Sequence, residues 1–138
     1  MKLTHALLPL AAALLALPAS AVDLQVTVLE GPAAPAMYYL ALFDSAEALA
    51  NNQALLSRKA ELRDGTAQLL IRDLPAGRYA IKSFADENGN AKLDTNILGL
   101  PTERYGFSNN AIGRMGPPTF DAAAVELDAD KRITIRLR

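Results

Sequence analysis

The sequence predicts an all-β fold: a single antiparallel β-sandwich of about seven strands, with one short helix and a long ordered loop excursion. Apolar and polar residues alternate near both ends of the chain, at Val22–Val28 and again at 132–138. A period of two is typical of strands that bury one face and expose the other. Between them, short apolar runs are separated by Gly, Pro, Asp and Asn, as in sandwiches and barrels.

The strands follow from these runs in chain order. The first strand begins at Val22, where four apolar residues alternate with Asp23, Gln25 and Thr27. A more fully buried strand, rich in Tyr and Leu, is expected next. The remaining segments are also predicted to be strands, although their apolar and polar residues alternate more regularly in some than in others. The predicted segments are 22–28, 37–43, 55–62, 66–74, 78–84, 123–127 and 132–138.

One segment has a helical pattern. Asp44 or Ser45 can cap a short helix in which Ala46, Leu49 and Ala50 share a face. Asn51 and Asn52 provide the stop signal. The helix is too short to be stable alone, so we expect it to pack against the sheets.

The first 21 residues predict a signal peptide. Lys2 supplies a positive charge, an apolar stretch follows from Ala6 to Leu17, and the segment ends in an A-x-A cleavage pattern at Ala21. The alternative, a membrane anchor, is disfavoured because a 12-residue apolar helix spans about 18 Å of a hydrocarbon core about 30 Å thick. We therefore expect export to the periplasm or beyond, with 22–138 forming one β-sandwich domain.

Composition excludes several classes of function. The chain of 138 residues has no Cys, and its single His, His5, lies in the predicted signal. A mature chain would therefore lack Cys or His nucleophiles, imidazole bases and ordinary zinc ligands. The charge balance of 14 basic and 15 acidic residues gives no basic field for nucleic acid. The sequence has no second long apolar run, so membrane insertion after removal of the signal is not expected. Neither a partner nor an oligomeric state follows from the sequence.

The segment Leu74–Tyr79 predicts a turn between two strands. Pro75 presets φ at a turn corner, and Gly77 is expected to take a positive φ. Tyr79 should then open the next strand with its side chain facing inward. This segment is interpreted as a determinant of the fold rather than of function.

Residues 86–120 are the long excursion. They are dense in Asn, Gly, Asp and Pro, and a loop of this length in a compact domain is normally functional or disordered. Apolar residues at close intervals favour an ordered loop that is attached to the sandwich. Those expected attachment points are Leu93, Ile97, Leu98, Leu100, Tyr105, Phe107, Ile112, Met115 and Phe120.

The start of the excursion has the spacing of a calcium loop. Oxygen-bearing side chains at Asp86, Asn88, Asn90 and Asp94 match positions 1, 3, 5 and 9, and Lys92 can offer its backbone carbonyl. The match is incomplete, because Ala91 stands in place of the loop glycine and Ile97 in place of the bidentate glutamate. Oxygens from elsewhere, at Glu87, Asn96 or Glu103, could complete the shell. These residues predict a weak calcium site.

The presence and spacing of these residues can also be explained without a metal ion. Asp and Asn side chains form Asx turns with their own backbone and tolerate left-handed backbone angles. Asn-Gly, as at Asn88-Gly89, is a common turn sequence in its own right. Calcium loop and self-bonded turn both stay open at this point.

Taken in order, six segments resemble the DUF2141 family of exported bacterial proteins of unknown function. The resemblance extends over essentially the whole mature chain and implies an exported prealbumin-like β-sandwich, without implying an activity. Where the family pattern usually has Gly after the second Asn of the loop, this chain has Ala91. The segments are Leu74–Ala80, Asp86–Asn90, Lys92–Asn96, Leu98–Glu103, Tyr105–Asn110 and Gly116–Phe120.

Two classes of function remain. The first is a non-catalytic exported module that displays the Asp86–Asn110 loop, ordered or not by calcium, to a partner in the envelope. The second is a small hydrolase acting on glycans with carboxylates such as Asp86, Asp94 or Glu103 as acid and base. A chain of this size without His has little material for a protonated carboxyl in an apolar pocket, so the first is preferred. The segment Glu103–Asn110 mixes charges, aromatics and amides, and is interpreted as loop attachment in preference to a recognition surface.

Overall fold

The computed structural model describes residues 20–138 and is about half strand. It contains eight strands, two short α-helices and one 3-10 turn within that range. The strands are β1 Ala21–Leu29, β2 Ala36–Phe43, β3 Leu56–Leu62, β4 Ala67–Pro75, β5 Gly77–Asp86, β6 Tyr105–Phe107, β7 Val125–Leu127 and β8 Lys131–Arg136; the helices are α1 Ala46–Ala50 and α2 Phe120–Ala123, and the 3-10 turn is Ser108–Asn110.

The strands form two sheets. The smaller sheet has the order β4-β1-β8, and the larger has the order β3-β2-β5-β6, with β7 paired to β5. Six pairs of strands are joined in these sheets, and five of them are antiparallel. The predicted antiparallel sandwich is confirmed, with one parallel pair in it, because β8 runs parallel to β1. The chain leaves the larger sheet after β7 and enters the smaller one at β8, a crossing that alternation within a strand cannot predict.

One hydrophobic core joins the inner faces of both sheets. The alternating residues Val22, Leu24, Val26 and Val28 of β1 are buried with Ile135 and with the inward residues of β2 and β5. Because both sheets contribute to this single cluster, the arrangement is a β-sandwich. The predicted inward orientation of Val26 and Ile135 is confirmed, since both are fully buried.

The segment between β4 and β5 is a corner between the two sheets. β4 pairs with β1, whereas β5 pairs with β2. The expected positive φ at Gly77 is wrong; the left-handed residue is Asp73, at φ 57°. Tyr79 is buried as predicted, and its hydroxyl donates to the Pro75 carbonyl at 2.5 Å. This bond closes the corner across the two strands.

The short helix is confirmed, with Ser45 as its cap, and the Ser45 side chain accepts from the Ala48 N–H. Two short elements were not predicted, β6 inside the excursion and α2 beginning at its last residue, because three or four residues carry no measurable period. They build a second, smaller core in which Phe107 and Phe120 pack on Ala80 of β5. This core lies on the outer face of the larger sheet.

Within residues 20–138, no helix has the length and apolar character needed to cross a membrane. The predicted signal peptide, residues 1–21, lies outside the described residues apart from its last two positions.

Candidate functional site

The candidate site begins where β5 ends. Asp86 is the last residue of that strand and is only 4% exposed. Its Oδ1 accepts from the Gly89 N–H at 2.9 Å and its Oδ2 from the Ala91 N–H at 2.8 Å. Both oxygens of a buried carboxylate thus fold the following five residues back onto the strand.

The backbone of this loop takes left-handed angles. Gly89 has φ 78° and Ala91 has φ 59°. Glycine adopts such angles without cost, whereas a residue with a Cβ is strained there by roughly 1–2 kcal/mol. Ala91, the position where the family pattern usually has Gly, is therefore held in place by its bond to Asp86.

The side chain of Glu103 is a second buried carboxylate. It accepts backbone hydrogen bonds from both ends of the loop. It is 7% exposed. Its Oε1 accepts from the Glu87 N–H at 3.0 Å, and its Oε2 accepts from the Asp94 N–H at 3.1 Å. Hydrogen bonds to a charged acceptor contribute more than neutral ones. Neither Glu103 nor Asp86 forms an ion pair among residues 20–138.

Asp94 is the polar centre of the exposed part of the loop. Its carboxylate accepts from the Asn88 amide and, at 2.7 Å, from the Asn90 amide. The Asn88 and Asn90 carbonyl oxygens accept in turn from the N–H groups of Asn90 and Lys92. These are Asx-turn contacts, and each asparagine bonds the backbone two residues further on.

The predicted calcium ligands Asp86, Asn88, Asn90, Lys92 and Asp94 therefore lie in one loop, in two groups. Asp86 is buried and bonded inward, while the asparagines surround Asp94 at the surface. Among residues 20–138 there is no group of three His, Cys, Asp or Glu side chains placed to hold a metal ion. The contacts account for the loop's shape without a cation. Calcium binding stays a prediction. Only oxygen lone pairs that are not used in these hydrogen bonds could coordinate the ion.

A second turn follows directly. Asn96 Oδ1 accepts from the N–H groups of Leu98 and Leu100 at 2.9 and 3.1 Å. Thr95 forms a bridge with Pro101 across the turn. Asn96 was named above as a further candidate calcium ligand. In the structure its side-chain oxygen instead stabilises this second turn.

The second turn presents apolar side chains to solvent. Ile97 and Met115 are completely exposed, at 102% and 109% of their reference areas, and Leu98, Leu100 and Ile112 are more than half exposed. The prediction that these five residues attach the excursion to the sandwich is wrong. Phe107 and Phe120 are buried as predicted, and Tyr105 and Leu93 are half-buried. The local hydrogen bonds of Asn96 and Glu103, rather than apolar burial, hold the stretch around residue 97.

The segment Glu103–Asn110 is committed to contacts within the protein. Arg104 donates to the Glu30 carbonyl at 2.9 Å, and the Asn109 amide donates to the Ala124 carbonyl at 2.7 Å. Ser108 is buried and joins the Ile81 N–H to the Ala123 carbonyl. The interpretation of this segment as loop attachment agrees with these contacts.

Asp86, Asp94 and Glu103, the three candidate carboxylates for hydrolysis, line neither of two grooves on the described surface. Asp86, Asp94 and Glu103 all accept hydrogen bonds from the loop itself. Two grooves on the described surface are lined by other residues, one beside α1 and one beside Asp23 and Asp130. The structural importance of Glu103 was not foreseen, because its partners lie 16 and 9 residues away and no local spacing signals them.

Comparison with known families gives one match. Residues 26–136 match the model of a family described as "Uncharacterized protein conserved in bacteria (DUF2141)". No curated protein and no solved structure matches the chain.

Proposed function

The chain belongs to the DUF2141 family, and from this premise we propose that it is an exported, non-catalytic module. Its β-sandwich presents the excursion of residues 86–120 to a protein partner in the bacterial envelope. The excursion is the ligand-facing part, and the two sheets are its rigid support. Export rests on the A-x-A pattern at Ala21.

One observation carries the proposal. Five of the seven exposed large hydrophobic side chains of residues 20–138 belong to the stretch between Ile97 and Met115. Scattered exposed apolar residues are ordinary, but a concentration of them in one stretch is typical of interaction surfaces. The stretch between Asn96 and Thr102 carries no charged side chain, so it would enter an apolar cleft without leaving a buried charge unpaired.

The fixed shape of the excursion supports binding. Asp86, Glu103 and Asn96 each accept two backbone N–H groups within it. A preformed surface loses less conformational entropy on association than a flexible one.

The non-catalytic part of the proposal rests on the state of the carboxylates. Hydrolysis of a glycan needs one carboxyl as acid and a second as base or nucleophile, both facing a groove. Asp86 and Glu103 instead direct both oxygens at backbone N–H groups. The alternative of a hydrolase would require a conformation in which these bonds are released.

The experiment places a photo-crosslinking amino acid at position 98 in the full-length chain, expressed in an exporting bacterium. We expect one discrete crosslinked product, which is absent with the crosslinker at Leu70, the matched exposed leucine outside the excursion. The captured protein is then purified and titrated with the chain. The triple variant Ile97→Ser, Leu98→Ser, Leu100→Ser should weaken binding at least tenfold, and equal affinity of the triple variant and wild type would refute the proposal.

Calcium binding is a second candidate function of the loop. The favouring observation is that Asp86 and Glu103 are both buried without a cationic partner among the described residues. A site lacking the bidentate glutamate should bind in the millimolar to tenth-millimolar range. Calcium at 100 times the dissociation constant would add about 2.7 kcal/mol to the free energy of unfolding.

The calcium test compares melting temperatures in chelator, excess calcium and excess magnesium, for wild type and Asp94→Asn. Asp94 is chosen because it is partly exposed and its replacement keeps the size of the side chain. We expect a rise with calcium in wild type that the variant loses. An unchanged melting temperature in wild type removes calcium binding and leaves the display proposal standing.

A further inference from the structure

A groove on the outer face of the larger sheet is lined by none of the exposed apolar residues on which the display proposal rests. One wall is α1, the other is the segment Pro117–Phe120, and Phe107 of β6 lies between them. Its volume is about 460 Å³, within the 300–1,000 Å³ range of small-molecule sites.

The walls of the groove are mainly apolar. Leu49 of α1 is half-buried, and no residue of that helix is fully buried. Phe120 closes the opposite side, next to Pro117 and Pro118. Leu49 packs in part on the second core, and the protein's own side chains leave the apolar side of α1 incompletely covered.

Lys82 is the one cationic residue among the described residues that line this groove. Lys82 lies on β5 between Ile81 and Ser83, which are buried inward, so alternation directs it to the outer face. Its neighbours across the strands are Ala41 and Phe107, which are both apolar.

Lys82 forms no ion pair among residues 20–138. Its Nζ has one hydrogen bond, a long one of 3.4 Å to Asn52 Oδ1, and Asn52 also lines the groove. An ammonium without a carboxylate partner among the described residues, beside an apolar space, is complementary to a ligand with an anionic head and an apolar body.

We propose that this groove binds a small free amphipathic carboxylate, such as a medium-chain fatty acid. The apolar chain lies between Leu49 and Phe120. The carboxylate accepts from Lys82 Nζ and from the Asn52 amide, whose oxygen already faces the lysine.

The experiment titrates the purified mature chain with octanoate, octanol and acetate, with backbone amide NMR shifts as the readout. Octanoate should saturate the amides of α1, Lys82 and Phe107, octanol should bind more weakly at the same amides, and acetate should give no saturable shift. Absence of saturable octanoate binding would overturn the proposal. So would saturation confined to residues 97–100 and 112–115, which do not line the groove.

Variants separate the two parts of the site. Lys82→Gln should weaken octanoate about fivefold, as expected for a partly exposed charge pair, without weakening octanol, and Lys82→Arg should restore octanoate binding. Ala50→Trp, at an exposed position of the wall, should block both ligands. The control is Leu70→Ser, at an exposed position of β4 in the smaller sheet, which should change neither. Equal octanoate affinity in Lys82→Gln and wild type would overturn the assignment of the carboxylate to Lys82.

Discussion

Ala91 donates its backbone N–H to Asp86 Oδ2 at 2.8 Å while its own φ is 59°. The hydrogen bond thus holds an alanine in a conformation that glycine adopts more easily. Replacement Ala91→Gly should raise the free energy of unfolding by about 1 kcal/mol. For a domain of this size the melting temperature should rise by about 4 °C.

The control for this prediction is Ala50→Gly, at an exposed position of helix α1. Glycine in a helix is less favourable than alanine by about 0.5–1 kcal/mol, so this variant should melt lower. A lower melting temperature for both variants would show that the loop does not hold Ala91 in the left-handed region.

Glu103→Gln should destabilise the protein. The two N–H groups of Glu87 and Asp94 point at the two oxygens of Glu103, and an amide can offer only one oxygen to them. We expect a loss of about 1–3 kcal/mol in urea unfolding. Glu87→Gln is the matched control, since that side chain is exposed, and its change should stay within about 0.5 kcal/mol.

Tyr38 and Tyr79 should respond oppositely to the loss of the hydroxyl. Tyr38 is fully buried and its hydroxyl has no hydrogen-bond partner among residues 20–138, whereas the Tyr79 hydroxyl donates to the Pro75 carbonyl. Tyr38→Phe should therefore raise stability at pH 7 by about 1 kcal/mol, and Tyr79→Phe should lower it by a similar amount. Chemical unfolding of the two variants measures both effects.

The raised pKa values of these two tyrosines predict that the protein loses stability at alkaline pH. Burial raises the pKa of Tyr38 above its usual value of 10.0, and burial followed by the charge of Asp44 raises the pKa of Tyr79. The folded protein then keeps protons that the unfolded chain releases, so this stabilisation is complete below pH 10 and is lost as the pH rises through the folded pKa values. Tyr38→Phe should lose less stability between pH 9 and pH 11.5 than wild type. An identical decline in both would contradict the assigned cause.

Gly106→Ala should be strongly destabilising. A Cβ at Gly106 would lie 2.9 Å from Ile135 Cγ2 and 3.0 Å from the Arg136 carbonyl oxygen, in the contact between β6 and β8. Overpacking of this kind costs about 1–3 kcal/mol. Gly116→Ala is the control, because a Cβ there meets nothing within 4 Å. Equal melting temperatures of the two variants would show that the two strands are less tightly packed.

The sequence was informative where one physical pattern had one structural meaning. Alternation placed β1 and predicted that Val26 and Ile135 face inward, because only one face of a strand can be buried. Pairing between distant strands has no such local signal, so the parallel contact of β8 with β1 was missed. The oxygen spacing from Asp86 to Asp94 had two meanings, since calcium loops and Asx turns use the same side chains. Burial was wrongly predicted for five apolar residues of the excursion, because apolar character favours burial but does not determine it; these are Ile97, Leu98, Leu100, Ile112 and Met115.

Asp86 and Glu103 fix the shape of the excursion through its backbone N–H groups. Backbone amide hydrogen exchange of the protein in chelator tests these hydrogen bonds directly. We predict that the N–H groups of Gly89, Ala91 and Asp94 exchange at least tenfold more slowly than in an unfolded peptide, and that Glu103→Gln removes the protection at Asp94. Exchange of all three at the unfolded rate in the wild-type protein would contradict the account.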